Sequence, residues 1–264
     1  MPEGSFVNVA LTVATWNVNG LRARMALVER FLRERAPDVL CLQETKISNG
    51  LFPFGDFAML GYPHAVAVGN AGYAGVAIVA KMPLEDHVQG LPGDEHGRLA
   101  GARLESGERV FSCYAPNGGI YGSTQYAYKL EWFTVLRRWL DAREKKSGPI
   151  VLCGDLNVAQ TDRDVYAGAT IGETTHTSVA VRRAYAELLE FGFADAFRIL
   201  HGEQIEYTYW DYRAGALRKN EGWRIDVALC TPPLVARLAA CGVDREARAW
   251  RQSSDHAPLI TTFE

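Results

Sequence analysis

The sequence predicts an α/β fold in which mixed sheets are flanked by helices. Three observations predict it. Short apolar runs at 39–42, 75–80 and 150–153 have the uninterrupted look of strands buried on both faces. Longer segments between some of them carry apolar residues at helical spacing. Other strands follow one another with no helix between, which argues against a purely parallel sheet. No low-complexity linker, charge block or tandem repeat divides residues 1–264, so one domain is expected.

The elements follow in order. T-V-A-T-W-N-V-N-G reads as a strand ending in polar residues. Leu21, Met25, Val28 and Leu32 then recur at helical spacing, and Pro37 stops that helix. Residues 39–42 are a short strand that runs into Gln43-Glu44, and 75–80 is another. R-V-F-S-C-Y (109–114) is a strand ending in A-P-N-G-G. Residues 125–146 predict a long amphipathic helix with Tyr126, Leu130, Phe133 and Leu140 on one side, closed by Gly148-Pro149. The run I-V-L-C (150–153) breaks at Gly154 into Asp155 and Asn157. A helix from Ser178, a suitable N-cap, to Gly192 follows. The aromatic stretch 207–212, a strand at 224–230, a short helix after Pro232-Pro233 and a last strand at 258–263 complete the chain.

Composition narrows the class. Hydrophobic residues are 48%, enough for a core and too many for a disordered chain. No apolar run approaches the roughly 20 residues of a membrane span, and the start lacks the pattern of a signal peptide. A soluble, cytoplasmic monomer is expected. The five cysteines include no C-x-x-C pair and read as reduced, buried small hydrophobes. The net charge is −3, so any phosphate-directed function must rest on a local site rather than on a generally basic surface.

The informative regularity is where the polar residues sit. Asn17 and Asn19 end the first strand, and Glu44 the second. Tyr114 and Asn117 end the 109–114 strand, and Asp155 and Asn157 the 150–153 strand. Asp226 lies in W-R-I-D-V-A-L, and Asp255-His256 precedes the last strand. One such residue is ordinary, because Asp and Asn are common in turns. Six strands with the same habit predict ends that converge on one cleft. Oxygen donors without a cysteine or histidine cluster suit Mg²⁺, with Mn²⁺ as a substitute, rather than zinc. The G-x-x-x-x-G-K-[ST] cradle, the G-x-S-x-G elbow and H-E-x-x-H are absent. The chemistry implied is metal-assisted hydrolysis of a phosphate ester, with Glu44 the best single ligand.

T-W-N-V-N-G-L-R-A-R, L-C-L-Q-E-T-K, G-V-A-I-V-A-K, C-Y-A-P-N-G, G-D-L-N-V-A, W-R-I-D and S-D-H-A-P together resemble the exonuclease III class of AP endonucleases. That class is the DNA-repair branch of the endonuclease/exonuclease/phosphatase superfamily. The resemblance implies two packed mixed β-sheets flanked by helices, a four-layer α/β sandwich of DNase I-like type. It implies Mg²⁺-dependent cleavage 5′ to abasic sites, with 3′→5′ exonuclease and 3′-end phosphodiesterase or phosphatase activity on duplex DNA. By position, Asn17 and Glu44 match the metal-site residues, with Asp255 nearby. Tyr114 matches the site tyrosine. Asp155 and Asn157 match the pair that activates and orients water, and Asp226 and His256 the carboxylate–histidine pair. Asp155 is preferred over His256 as proton acceptor, because a histidine held by Asp226 tends to be cationic.

The stretch from Glu206 to Asp226 interleaves aromatics with Arg213, Arg218, Lys219 and Arg224. Extended, it would place Tyr207 and Tyr209 on one face and Trp210 and Tyr212 on the other. The resemblance makes Tyr209, Trp223 and Ile225 the lining of a pocket for a flipped-out, base-free sugar. Tyr209 stands where other members carry Phe or Trp. Arg22, Arg24 and Asn117 are expected to meet the DNA backbone, and the Gly-rich segment after Asn117 to face DNA. His64, His87, His96, His176 and His201 read as ordinary surface or core histidines. The alternative function is a phosphodiesterase or phosphatase of the same superfamily acting on lipid or small-molecule phosphates. The acidic balance favours it and the aromatic–basic stretch opposes it.

Overall fold

The computed structural model describes residues 10–70 and 72–264. Its first strand shows how the apolar runs are used. Along β1 (Leu11–Asn17), Leu11 and Val13 face one core while Ala14 and Trp16 face another. The chain crosses over through α1 (Leu21–Arg35) to β2 (Val39–Gln43), which lies parallel to β1. In β2, Val39 and Cys41 join the first core and Leu40 and Leu42 the second. Both faces of these strands are therefore buried, which explains their unbroken apolar sequence.

Next come α2 (Phe54–Met59), β3 (His64–Asn70), β4 (Tyr73–Ala80), β5 (Leu84–Gln89), β6 (Leu99–Leu104) and β7 (Arg109–Tyr114). A second crossover, α3 (Thr124–Arg143), leads to β8 (Ile150–Asp155), parallel to β7. Then follow α4 (Val179–Leu189), β9 (Ala194–Asp195), α5 (Ala196–His201), α6 (Ala216–Lys219) and β10 (Asp226–Cys230). The chain ends with α7 (Pro232–Val235), β11 (Leu238–Val243), α8 (Arg245–Ala249) and β12 (Leu259–Phe263).

The strands form two six-stranded sheets, ordered β11-β12-β1-β2-β4-β3 and β5-β6-β7-β8-β10-β9. Each has one parallel pair near its middle, and its other pairs are antiparallel. Leu11, Val76, Ile78, Val110, Val151 and Cys153 belong to the core between the sheets. Trp16, Phe31 and Phe57 pack α1 and α2 on one outer face, and Phe133, Leu136 and Tyr185 pack α3 and α4 on the other. This is the expected four-layer sandwich. A polar staple crosses the inter-sheet core: Gln43 Nε2 donates to Thr15 Oγ1 and to Ser112 Oγ, each at 2.9 Å. Ser112 Oγ donates in turn to the Leu42 carbonyl.

Several boundaries move. The helix expected over 125–146 ends at Arg143, and Leu130 is only half buried while Leu136 joins the buried face. Ser178 caps α4 by accepting the Val181 amide proton at 3.3 Å. Gly192, at φ +114, turns the chain after it. The 224–230 strand starts only at Asp226. The even alternation expected of 207–212 does not occur. Tyr207 and Trp210 are both buried and meet at 6.3 Å, because the segment makes isolated bridges rather than a strand. No helix among the described residues is long and apolar enough to cross a membrane.

Gly154 shows how closely the central strands approach. It sits at φ +140, and a Cβ there would lie 2.0 Å from the Cys113 carbonyl oxygen of β7. Gly154→Ala should cost about 3 kcal/mol in urea unfolding through overpacking and strain. Gly107→Ala has a positive φ but open space around it, and should cost only about 1 kcal/mol.

Candidate active site

The C-terminal ends of the two parallel pairs point to one place. Asn17 ends β1, Glu44 follows β2, Tyr114 ends β7 and Asp155 ends β8. The antiparallel neighbours begin where these end. Asp226, the first residue of β10, pairs with Asp155, and His256 lies just before β12. Trp16 Nε1 donates to the His256 carbonyl at 3.1 Å and fixes that backbone against β1.

Asn17 joins the two sheets at the site. Its Nδ2 donates to Glu44 Oε1 and to Asp155 Oδ2, each at 2.9 Å. Its Oδ1 accepts the Asn19 amide proton at 3.0 Å. Asn17 thus holds two carboxylates to one point, and its oxygen is already engaged. Asn19 Nδ2 donates to Asp255 Oδ1 at 3.1 Å. Lys46 Nζ lies 2.9 Å from Glu44 Oε2 and donates to Asn19 Oδ1. Burial works against the charge of Glu44, but Asn17 and Lys46 outweigh it and keep its pKa below the usual value.

The histidine is held from both sides. His256 Nδ1 donates to Asp226 Oδ2 at 2.8 Å, and Nε2 lies 3.7 Å from Asp155 Oδ2. Burial disfavours the imidazolium, yet Asp226 and Asp155 raise its pKa to about 10. Burial raises Asp155 to about 7, with the Asp226 and Glu44 charges adding to it and His256 and Asn17 opposing. Tyr114 is kept protonated by burial and by the Glu44 and Asp155 carboxylates. Asp155 Oδ1 also accepts the Asn157 amide proton at 2.8 Å, which curls the chain into the left-handed region at Asn157.

These groups line a cleft of about 450 Å³ with Asn117, Asn157, Tyr209, Trp223 and Ile225. Asn17 and Asp226 stand behind its wall. Arg22 is exposed on the first turn of α1 and does not line it. Arg24 reaches the Asn19 carbonyl and bonds the Tyr212 hydroxyl. Arg224 is not a surface cation. It is buried in ion pairs at 2.6 Å with Asp164 and Asp195, so it serves the fold.

Three residues of the site escaped the sequence reading. Lys46 belongs to the Q-E-T-K run but carried no assignment. Arg98 is buried behind Tyr114, 5.0 Å from its ring, and donates to its carbonyl. His176, read as ordinary, lines the cleft edge-on to Trp223 at 5.2 Å. Its Nε2 lies 3.2 Å from Asn157 Oδ1 and 3.3 Å from Asn117 Nδ2, and Nδ1 lies 3.1 Å from Thr175 Oγ1. Burial and the nearby Lys129 and His256 charges lower its pKa to about 3, so this ring is neutral.

The model of the Endonuclease/Exonuclease/phosphatase family matches residues 14–256. The chain belongs to the endonuclease/exonuclease/phosphatase family. Among its relatives is the DNA repair nuclease APEX1 of Danio rerio, 35% identical over 99% of this chain and 84% of that protein. Among solved structures, an AP endonuclease from Archaeoglobus fulgidus superposes with a TM-score of 0.92 at 38% identity, covering 96% of this chain and 99% of that one. A 3′ phosphatase from Neisseria, NExo, bound to product DNA hairpin, superposes at 0.91 with 36% identity over 96% and 99%. This family member is therefore an exonuclease III-like DNA repair nuclease, a phosphodiester hydrolase of a metal-dependent class.

The donor set fits a hard cation. Glu44 faces the cleft, and its outer oxygen already attracts the Lys46 ammonium. Asp255 lies in the same lining. Asp155, Asp226 and His256 also cluster closely enough to suggest a metal site. Their closeness has another cause. The His256 Nδ1–H is spent on Asp226, and a protonated imidazole does not ligate.

The charge on His256 is testable by its ring NMR titration in metal-free protein. The ring should stay protonated at pH 8 in the wild type and titrate at a lower pH in Asp226→Asn. Because the folded pKa is raised, His256 stabilises the fold fully below about pH 6.5, and this is lost as pH rises towards about 10. The variant should therefore lose stability most at low to neutral pH and converge on the wild type in alkali.

Proposed function

We propose that the protein hydrolyses phosphate esters of damaged duplex DNA with Mg²⁺, at blocked 3′ ends and 5′ to abasic sites. One observation carries the reading: six functional groups from both sheets converge on one cleft, with a carboxylate near neutrality beside a cationic histidine. Asp155 takes the proton of the attacking water, and a pKa near 7 suits a base working at neutral pH. Asn157 orients that water. The His256 imidazolium and the Tyr114 hydroxyl donate to the phosphate oxygens, and Asn117 holds the backbone. Glu44, with Asp255 nearby, would hold the Mg²⁺ ion, Asn17 fixing Glu44. The ion supplies positive charge against the phosphate. All five cysteines are free and buried, which supports action in the reducing cytoplasm, and we assign the enzyme as a monomer.

His176 bears on which substrate is preferred. Its ring occupies space beside Trp223, in the pocket assigned to a base-free sugar. A neutral ring fixed to Asn157 narrows that pocket without obstructing a 3′-terminal phosphate. The site therefore favours 3′-end processing over abasic incision, as the description of the Neisseria relative as a 3′ phosphatase supports.

An activity panel on matched abasic, 3′-phosphate and recessed duplexes, with Mg²⁺ and with EDTA, tests the proposal. Glu44→Ala and Asp155→Asn should each lower kcat by about 10²-fold or more, with DNA binding largely retained. Near wild-type turnover in either would refute the roles given. His176→Ala should raise abasic incision relative to 3′-phosphate release by about tenfold. An unchanged ratio would remove His176 as the determinant. Turnover of inositol phosphates instead of DNA would favour the lipid or small-molecule alternative.

A further inference from the structure

A single ammonium lies under one wall of the cleft. Lys129 is the one fully buried lysine among the described residues. It sits on the inner face of α3, where an apolar residue would be expected from the spacing of Tyr126 and Phe133. Its Nζ donates to the carbonyls of Asn157 at 2.6 Å, Thr175 at 2.7 Å and Asn117 at 3.2 Å. Three N–H donors thus meet three carbonyl oxygens, which is the full capacity of an ammonium. Among the described residues no carboxylate lies within ion-pair distance of it.

The three carbonyls belong to three separate irregular segments. Each puts a side chain into the cleft: Asn117, Asn157 and, next to Thr175, His176. Those side chains meet above the ammonium, where Asn117 Nδ2 donates to Asn157 Oδ1 at 3.1 Å and His176 Nε2 lies 3.2 Å from Asn157 Oδ1 and 3.3 Å from Asn117 Nδ2. The loop after Asn117 passes close over the lysine stem. A Cβ on Gly118 would sit 3.0 Å from Lys129 Cδ. On the same helix, Tyr126 bonds Ser178, tying α3 to the segment that carries His176. A buried ammonium with no carboxylate in ion-pair contact is costly: burial lowers the Lys129 pKa to about 7, with the Asp155 charge opposing, and an apolar residue would fill the space at less expense. What it supplies is a junction beneath all three irregular segments, two of which also share the bond from the Ala159 amide to the His176 carbonyl, while Asn157 Nδ2 donates to the Ala115 carbonyl.

We propose that Lys129 is a positioning residue, whose ammonium fixes the Asn117–Asn157–His176 wall from below and so sets the orientation of the Asn157 carboxamide towards the attacking water. This rests on the role given to Asn157 above. Lys129 touches no substrate. Its influence is on placement, and misplacement of a site by an ångström is enough to cost about 10²-fold in rate.

The test is steady-state kinetics of the intact enzyme on 3′-phosphate duplex DNA with Mg²⁺. Lys129→Met keeps the length and removes the donors. It should lower kcat by about 10²-fold while KM stays within about threefold of the wild-type value. Lys129→Gln, which keeps two N–H donors and serves if the Met variant does not fold, should fall between. In the double variant with Asn157→Ala, the two losses should be strongly non-additive, since Lys129 acts through that side chain. A lysine needed only for folding would give additive losses, or a fall in folded fraction at unchanged kcat. Either result, or a folded variant with kcat within twofold of the wild type, overturns the proposal. If Asn157→Ala alone leaves kcat unchanged, it is the role of Asn157 that fails, and the two failures are distinguishable.

Discussion

The site depends on one carboxamide. Asn17 Nδ2 donates to a carboxylate from each sheet, Glu44 in one and Asp155 in the other. Two carboxylates brought this close repel each other in a region that excludes water, and a fixed dipole between them offsets part of that cost. The geometry is available because β1 lies in the middle of its sheet and ends at the level where β8 ends in the other. Behind it, the Thr15–Gln43–Ser112 staple fixes the relative level of the sheets with hydrogen bonds rather than with deformable apolar contacts. A shift between the sheets would break the staple and separate Glu44 from Asp155 together.

Around this junction the ionisable groups are differentiated by their surroundings. His256 and His176 both lie in the cleft wall, yet their pKa values are displaced in opposite directions. His256 faces two carboxylates, whereas His176 faces the Lys129 and His256 charges. One ring is a cation suited to phosphate, and the other is a neutral, fixed filler. Glu44 and Asp155 diverge likewise. Lys46 and Asn17 keep Glu44 ionised, while burial brings Asp155 towards neutrality. The proposed division into a charge-holding carboxylate and a proton-accepting one rests on these neighbours.

The layered fold and most of the cleft were legible because buried central strands announce themselves twice. Their apolar runs are unbroken, and polar residues end them abruptly, as Asp155 ends I-V-L-C-G. The edge strands were not legible. In β5, Glu85, Asp86 and His87 are exposed, and in β11 only Cys241 is fully buried, so the few half-buried apolar residues of each, Leu84 and Val88 or Leu238 and Val243, leave no unbroken apolar run to read. The Tyr207–Tyr212 stretch misled because period-two reasoning assumes a strand, whereas Trp210 is turned inwards by bonds to the Asp255 and Asn220 oxygens. His176 was misread, and Arg224 given no role, for a related reason. Their roles come from partners far off in sequence, Trp223 for the one and Asp164 and Asp195 for the other, and local pattern carries no trace of them. Lys129 carried a signal that was passed over: a lysine where the helical period calls for an apolar residue.

Four of the ten left-handed residues with side chains among the described residues lie where the chemistry is. Asn19, Glu44, Lys46 and Asn157 all have φ near +50, a region L-residues with side chains enter at a cost. All four stand within three residues of the end of a central strand, and three of them bond to one another or to Asn17. Left-handed residues turn the chain sharply, so side chains that would have continued into the two sheets are redirected into the space between their ends. The parallel pairs β1–β2 and β7–β8, buried on both faces, are the part of the fold best able to hold such strained ends. An acidic protein can in this way carry the proposed phosphate-directed chemistry without a basic surface. The positive charge at its wall is the buried imidazolium of His256, with Lys46 paired to Glu44 beside it, both placed by backbone turns that the core holds in position.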